Sequence, residues 1–341
     1  MANPVLKKLD LGSGDTTFKR YLLEEFVEDY EEGKMTRREA LKKIASVLGS
    51  VAIASTILAA CAPPPTPTPV PTAVPTAVPP TATRVPPTNT PAPTNTPAPT
   101  ATFAPGVTVS ATDPDIEASA IEISAAGATL IAYLARPKKA GTFPAILICH
   151  ENRGLTEHIK DVARRYAKAG YVGLALDLLS REGGTEKVGD RVASVLGNTS
   201  PDQFVKDFQN GLTHLSNQAY VAKGKYGMTG FCFGGGITWR SATQIAELKA
   251  AVPYYGPNPP IADVPKIQAA VLAIYGGTDT RINAGIPDVE AAMKTANKTF
   301  EKLVYDGVGH AFHNDTGAAY NANASKDAWA KTLAWFAKYL V

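Results

Sequence analysis

Cysteine is scarce in this 341-residue chain: three residues, Cys61, Cys149 and Cys232, with no CxxC pair and no Cys/His cluster at zinc-like spacing. That excludes a disulfide framework and a structural zinc site. Charge is nearly absent from residues 45–105, where Arg84 stands alone. Aromatics are equally rare in residues 62–105, which hold Phe103 and 16 of the chain's 27 prolines. Such a stretch cannot bury enough apolar surface to offset the entropy of ordering its backbone, so it reads as a disordered Pro/Thr-rich tether. No basic stripe occurs: the formal net charge is +3, and residues 106–341 carry 24 basic against 22 acidic side chains. A nucleic-acid footprint is thereby excluded.

What is present divides into three parts. Residues 1–61 hold nine Lys/Arg and nine Asp/Glu up to residue 44, then an uncharged run, Ile44–Ala60. Leu22, Leu23, Phe26 and Val27 sit at helical spacing and predict a short amphipathic helix. Arg37-Arg38 followed by Leu41 and Lys42 resembles a twin-arginine export signal, and Leu58-Ala59-Ala60-Cys61 resembles a lipobox. On that reading residues 1–61 are an export leader and Cys61 is lipidated, which ties the protein to the outer face of the cell membrane. Alternatives are an uncleaved membrane anchor over Ile44–Ala60 or a buried helix of a cytoplasmic protein. An extended tether, rising about 3.1 Å per residue, would hold the remainder on the order of 100 Å from the surface.

Residues 106–341 form the third part, long enough for one substantial core. Its pattern alternates. A hairpin is predicted over Ala120–Ser124 and Thr129–Arg136. Short apolar strands follow at Pro144–Cys149, Tyr171–Leu176, Lys225–Phe231, Lys249–Tyr254, Ala270–Tyr275 and Lys302–Tyr305. Helices are interleaved at Glu157–Ala169, Pro201–Gln218, after Gly234, over Val289–Thr295 and over Ser325–Tyr339. This order predicts an α/β fold with a mostly parallel sheet and helices on both faces. Ligands bind such sheets at the C-terminal ends of the strands. His150-Glu151, Cys232, Asp279 and His310 each follow a strand and are expected along that edge.

The sharpest motif is Gly230-Phe231-Cys232-Phe233-Gly234-Gly235. It has the form Gly-x-nucleophile-x-Gly between a buried strand and a helix, with cysteine where serine is usual. The helix N-terminus favours a thiolate, and the Phe233 N–H is aimed at a developing oxyanion. Asp279 in Gly276-Gly277-Thr278-Asp279 and His310 in Gly307-Val308-Gly309-His310 follow in the order nucleophile, acid, histidine. Separately, each residue has a bland reading: a core cysteine, an Asx-turn former and a loop histidine. His158 and His214 read as structural or solvent-facing.

With His150-Glu151-Asn152-Arg153-Gly154, Asp177-Leu178-Leu179-Ser180-Arg181 and Gly309-His310-Ala311-Phe312, these motifs make residues 118–341 resemble the dienelactone hydrolase family (carboxymethylenebutenolidases). The resemblance implies an α/β-hydrolase fold and a Cys232–His310–Asp279 triad cleaving carboxylic esters or lactones through a thioester. It implies that Glu151 pairs with the thiol at rest, that the Asn152 N–H is the second oxyanion donor, and that Arg181 contacts Glu151 and a substrate carboxylate. No organic cofactor or metal is implied. The family's best-known members carry an arginine where Asn314 stands, so a carboxylated lactone should be held less firmly. His313 is a further candidate substrate contact, and Arg153 another source of charge. The expected partners are a small-molecule ester or lactone and, through Cys61, a membrane, with the protein acting as a monomer. The alternative is a surface-displayed binding protein on an inactive hydrolase scaffold.

Overall fold

The computed structural model describes residues 4–12, 15–61 and 108–340. The predicted tether, 62–105, lies outside the described residues. Four helices come first: α1 (Pro4–Lys8), α2 (Thr17–Glu31), α3 (Arg37–Leu48) and α4 (Val51–Ala59). The uncharged run Ile44–Ala60 is therefore broken. Gly49 takes φ +70° and ends α3, and Ser50 starts α4 by accepting a hydrogen bond from Ile53 N–H. Among the described residues no helix is long and apolar enough to cross a membrane. α3 starts at the paired arginines, capped by Thr36, which forms a reciprocal capping box with Glu39.

The remainder is built on eight strands: β1 (Ile116–Ala125), β2 (Ala128–Pro137), β3 (Phe143–Cys149), β4 (Val172–Leu176), β5 (Val221–Phe231), β6 (Leu248–Tyr254), β7 (Ala270–Gly276) and β8 (Phe300–Tyr305). They lie in the order β1-β2-β4-β3-β5-β6-β7-β8, antiparallel at β1/β2 and β2/β4 and parallel elsewhere. The helices between and after them are α5 (Glu157–Lys168), α6 (Thr185–Val188), α7 (Val192–Asn198), α8 (Pro201–Ser216), α9 (Phe233–Gln244), α10 (Thr280–Asn283), α11 (Ile286–Thr295) and α12 (Ala322–Leu340). Strands β3, β4 and β7 read as continuous apolar runs because both their faces are covered. Alternation along β4 shows the two layers directly. A Cβ at Gly173 would meet Ala163 of α5, whereas its neighbour Leu174 reaches Gly211 of α8. Tyr166 of α5 meets Phe336 of α12 edge-on on one face, and Phe204 of α8 meets Phe233 of α9 on the other.

One buried ionic cluster fastens the residues ahead of β1 to α5. The Asp161 carboxylate is fully buried and accepts from Thr108 N–H and Oγ1 (3.0 and 2.9 Å), Val109 N–H (2.8 Å) and Arg165 Nε (2.6 Å). It also faces Arg164 Nη2 at 3.3 Å, and Arg164 is itself buried. Removing one partner of a buried ion pair strands the other charge, which costs about 3–5 kcal/mol. Asp161→Ala should lower the urea midpoint by that equivalent, with little change in the slope of the transition.

Candidate active site

The sharp turn from β5 into α9 creates the site. A Cβ on Gly230 would sit 2.2 Å from the Gly234 carbonyl oxygen, and one on Gly234 would sit 2.5 Å from the carbonyls of Cys149 and His150. Only glycine allows strand and helix to cross so closely. Cys232 between them is held at φ +58°, ψ −122°, and Tyr255 and Ala311 are also held at positive φ (+37° and +60°). Such conformations cost on the order of 1–3 kcal/mol each and persist only where packing enforces them. All three surround His310, whose ring lies 5.0 Å from that of Tyr255.

His310 Nδ1 is 2.6 Å from Asp279 Oδ2. Asp279 is buried, and its Oδ1 also caps α10 through Ile282 N–H. Burial pulls the imidazole pKa down, but Asp279 above all, then Cys232 and Glu25, hold it well above its ordinary value. Asp279 is depressed: burial would raise it, but His310 prevails. A ring nitrogen of His310, the Cys232 sulfur and a Glu25 carboxylate oxygen lie within 4.8 Å of one another. This is the one trio of potential metal ligands among the described residues, and it includes Cys232, the nucleophile expected from the sequence. Among the described residues His310 Nε2 makes no hydrogen bond.

The carboxylate beside the thiol is Glu25 of α2. Cys232 Sγ is 3.2 and 3.6 Å from its two oxygens, and the Tyr21 hydroxyl is 3.3 Å from Sγ. Burial first, and Glu25 second, push the thiol up to about 11. Glu151, expected in this place, instead accepts a 2.5 Å hydrogen bond from Asn314 Nδ2, and its other oxygen has no partner among the described residues. The physical reason is that Glu25, reaching in from α2, already occupies the position beside the sulfur. Burial raises the Glu151 carboxyl.

The other expected contacts are also redistributed. Arg181 is committed to Asp207 through Nη2 (2.6 Å) and Nε (3.2 Å), rather than to Glu151. His313 is buried and stacks on Phe231 at 4.9 Å, so it belongs to the aromatic core. Burial pulls its pKa well below the ordinary value. Asn152 offers its side chain: Nδ2 donates to Glu25 Oε1 at 2.8 Å. Phe233 begins α9 and packs against Phe18 of α2, ring centroids 4.9 Å apart. Cys61 is partly buried at the end of α4. His150 ties two loops together, donating from Nδ1 to the Glu151 carbonyl (2.6 Å) and accepting at Nε2 from Leu178 N–H (3.1 Å).

Sequence reasoning missed Tyr21, Glu25 and Arg281. The signal available for the first two was their spacing: Tyr21, Glu25 and Glu28 share one face of a helix (i, i+4, i+7). Arg281, two residues past Asp279, carries Glu28 on its Nε (2.8 Å), lies 3.6 Å from Glu25 and covers the Tyr21 ring at 4.7 Å.

Residues 130–340 match the model of the dienelactone hydrolase family. A protein of Methylorubrum extorquens provisionally named carboxymethylenebutenolidase is 34% identical over 247 residues, covering 68% of this chain and 85% of that protein. A similarly named protein of Escherichia coli K12 is 33% identical over 249 residues, covering 68% and 90%. The crystal structure of a protein of Klebsiella pneumoniae, provisionally named dienelactone hydrolase, superposes with a TM-score of 0.62 at 33% identity. It covers 66% of this chain and 99% of that one.

Proposed function

The chain belongs to the dienelactone hydrolase family, and from that membership and the geometry around Cys232 we propose that it cleaves carboxylic esters or lactones through a thioester on this cysteine. The observation that carries the reading is a thiol on a strained strand–helix elbow, within 4.8 Å of an imidazole nitrogen whose other nitrogen is fixed by a buried carboxylate at 2.6 Å. In the first half-reaction His310 Nε2 takes the thiol proton, and the Cys232 sulfur bonds to the carbonyl carbon. The carbonyl electron pair moves to oxygen, facing the N–H groups of Phe233 and Asn152. Collapse breaks the bond to the alcohol oxygen, which receives the proton from His310. In the second half-reaction His310 takes a proton from water, hydroxide equivalent adds to the thioester, and the acid leaves as the thiol is reprotonated. Asp279 holds the imidazole in the tautomer that keeps Nε2 free.

Asn314 beside Glu151 supplies no charge, so the reading favours esters and lactones over substrates that depend on a carboxylate anchor. Residues 1–61 are read as an export leader and Cys61 as its lipid attachment point, which would place the enzyme, acting as a monomer, among external esters.

The test is acyl trapping. The full chain carrying Glu25→Arg, which takes the carboxylate away from the sulfur, is mixed with p-nitrophenyl acetate, quenched in acid within the first turnover and mapped by mass spectrometry. The expected result is acetyl on Cys232 and none at that site in Cys232→Ala. Acetylation elsewhere, with turnover unchanged in the variant, would overturn the proposal.

A further inference from the structure

Helix α2, part of the segment expected to be a leader, lies across the candidate active site. Glu25 brings a carboxylate to the point where the thiol, the histidine and the Asn152 amide converge, which is where a substrate acyl group has to sit. Tyr21 closes over the sulfur from the same helix face. Cys232 is 3% exposed and Glu25 6%, so no ester reaches the sulfur while α2 stays in place.

The attachment is specific as well as close. Arg281 holds Glu28 and stacks on Tyr21. Phe18 packs on Phe233, Asn198 Nδ2 donates to the Val47 carbonyl of α3 (3.2 Å), and Arg240 pairs with Asp15 (2.6 Å). Leu22 and Val47 press on Gly197 of α7, where an added Cβ would come within 3.3 and 3.2 Å of them. Every partner in these contacts on the leader side precedes Cys61 in the chain. The Klebsiella structure is covered to 99% by 66% of this chain, a share that fits the sheet-bearing residues.

We propose that α2, backed by α3, is an intramolecular plug that keeps this hydrolase closed, with Glu25 holding the place of the substrate acyl group, until the leader is drawn off. The consequence is chemical as well as steric. Glu25 opposes thiolate formation and helps keep His310 protonated, so neither nucleophile nor base is ready. A cut ahead of Cys61, where the sequence resembles a lipobox, would free all four leader helices from the catalytic part. Activity would then begin only with export. The inference rests on Cys232 being the nucleophile of the proposed reaction.

Two full-length variants test the plug. Gly197→Trp places bulk under Leu22 and Val47, away from the reacting groups. Glu25→Arg sets a cation against Arg281 and the imidazolium of His310. Each is followed by the rate of Cys232 alkylation by iodoacetamide, located by mass spectrometry, and by hydrolysis of p-nitrophenyl acetate. Circular dichroism verifies folding, and Glu25→Arg keeps the test valid if the buried tryptophan prevents it. The expected result is alkylation of Cys232 at least tenfold faster in the variants than in the unsubstituted chain, with hydrolysis rising in parallel. Alkylation equally fast in the unsubstituted chain overturns the plug. Faster alkylation without any hydrolysis upholds the plug and overturns the hydrolase reading.

Discussion

In a chain whose plug has been loosened by Glu25→Arg, adding Cys232→Ala should reduce hydrolysis of p-nitrophenyl acetate by about 10⁴-fold or more, while the thermal midpoint stays nearly unchanged. The reason for the size is that in the proposed reaction the sulfur carries the covalent step. Removing the nucleophile of a triad removes the whole coupled unit, and only oxyanion stabilisation and binding remain. The reason for the small stability effect is local. Cys232 makes its side-chain contacts with Glu25, Tyr21 and the reacting groups, and its strained φ is enforced by Gly230 and Gly234 through the backbone. Alanine inherits that strain and adds no bulk. A loss of less than tenfold would show that another residue performs the chemistry.

Asp279→Asn, made in the same loosened chain, should cost kcat about 10⁴-fold, because an amide allows the imidazole its wrong tautomer. It separates orientation from simple proximity. Asparagine keeps an oxygen to accept the Ile282 N–H, so the cap of α10 survives. The pH profile gives an independent reading. The Asp279 carboxylate stabilises imidazolium and is one cause of the raised His310 pKa. Removing its charge disfavours the protonated ring, so the pKa falls and the basic form persists to lower pH. The acid limb of log kcat/KM against pH should therefore shift to lower pH in the variant, even as its plateau drops. A plateau that drops with no shift of the limb would place the titrating group elsewhere.

The two predictions, like the plug, involve residues that the sequence revealed to different degrees. The elbow was legible because its constraint is local: Gly230, Cys232 and Gly234 lie within five residues, and the strand before them is a plain apolar run. The acid and the histidine were legible from their position after β7 and β8, since parallel connectivity delivers strand ends to one edge. The alternating elements were found nearly throughout, with ends displaced by a few residues at sites such as β5, which begins at Val221 rather than Lys225. Tight turns and apolar periodicity carry that information within short windows of the chain.

Contacts between distant segments carried no such signal. Tyr21 and Glu25 lie more than 200 residues from Cys232, and nothing in a leader-like sequence marks one glutamate among nine acidic residues as the partner of a thiol. The same holds for Asn314, which took Glu151, for Asp207, which took Arg181, and for His313, which the aromatic core absorbed. By itself the sequence determined the sheet order's raw material, the strained strand–helix turn at Cys232 and the strand-end residues, because each depends on backbone geometry within a few residues. Only the tertiary structure decided which carboxylate faces the sulfur and whether the site stands open. Those outcomes depend on how separate helices pack, and burial then sets the charges they present.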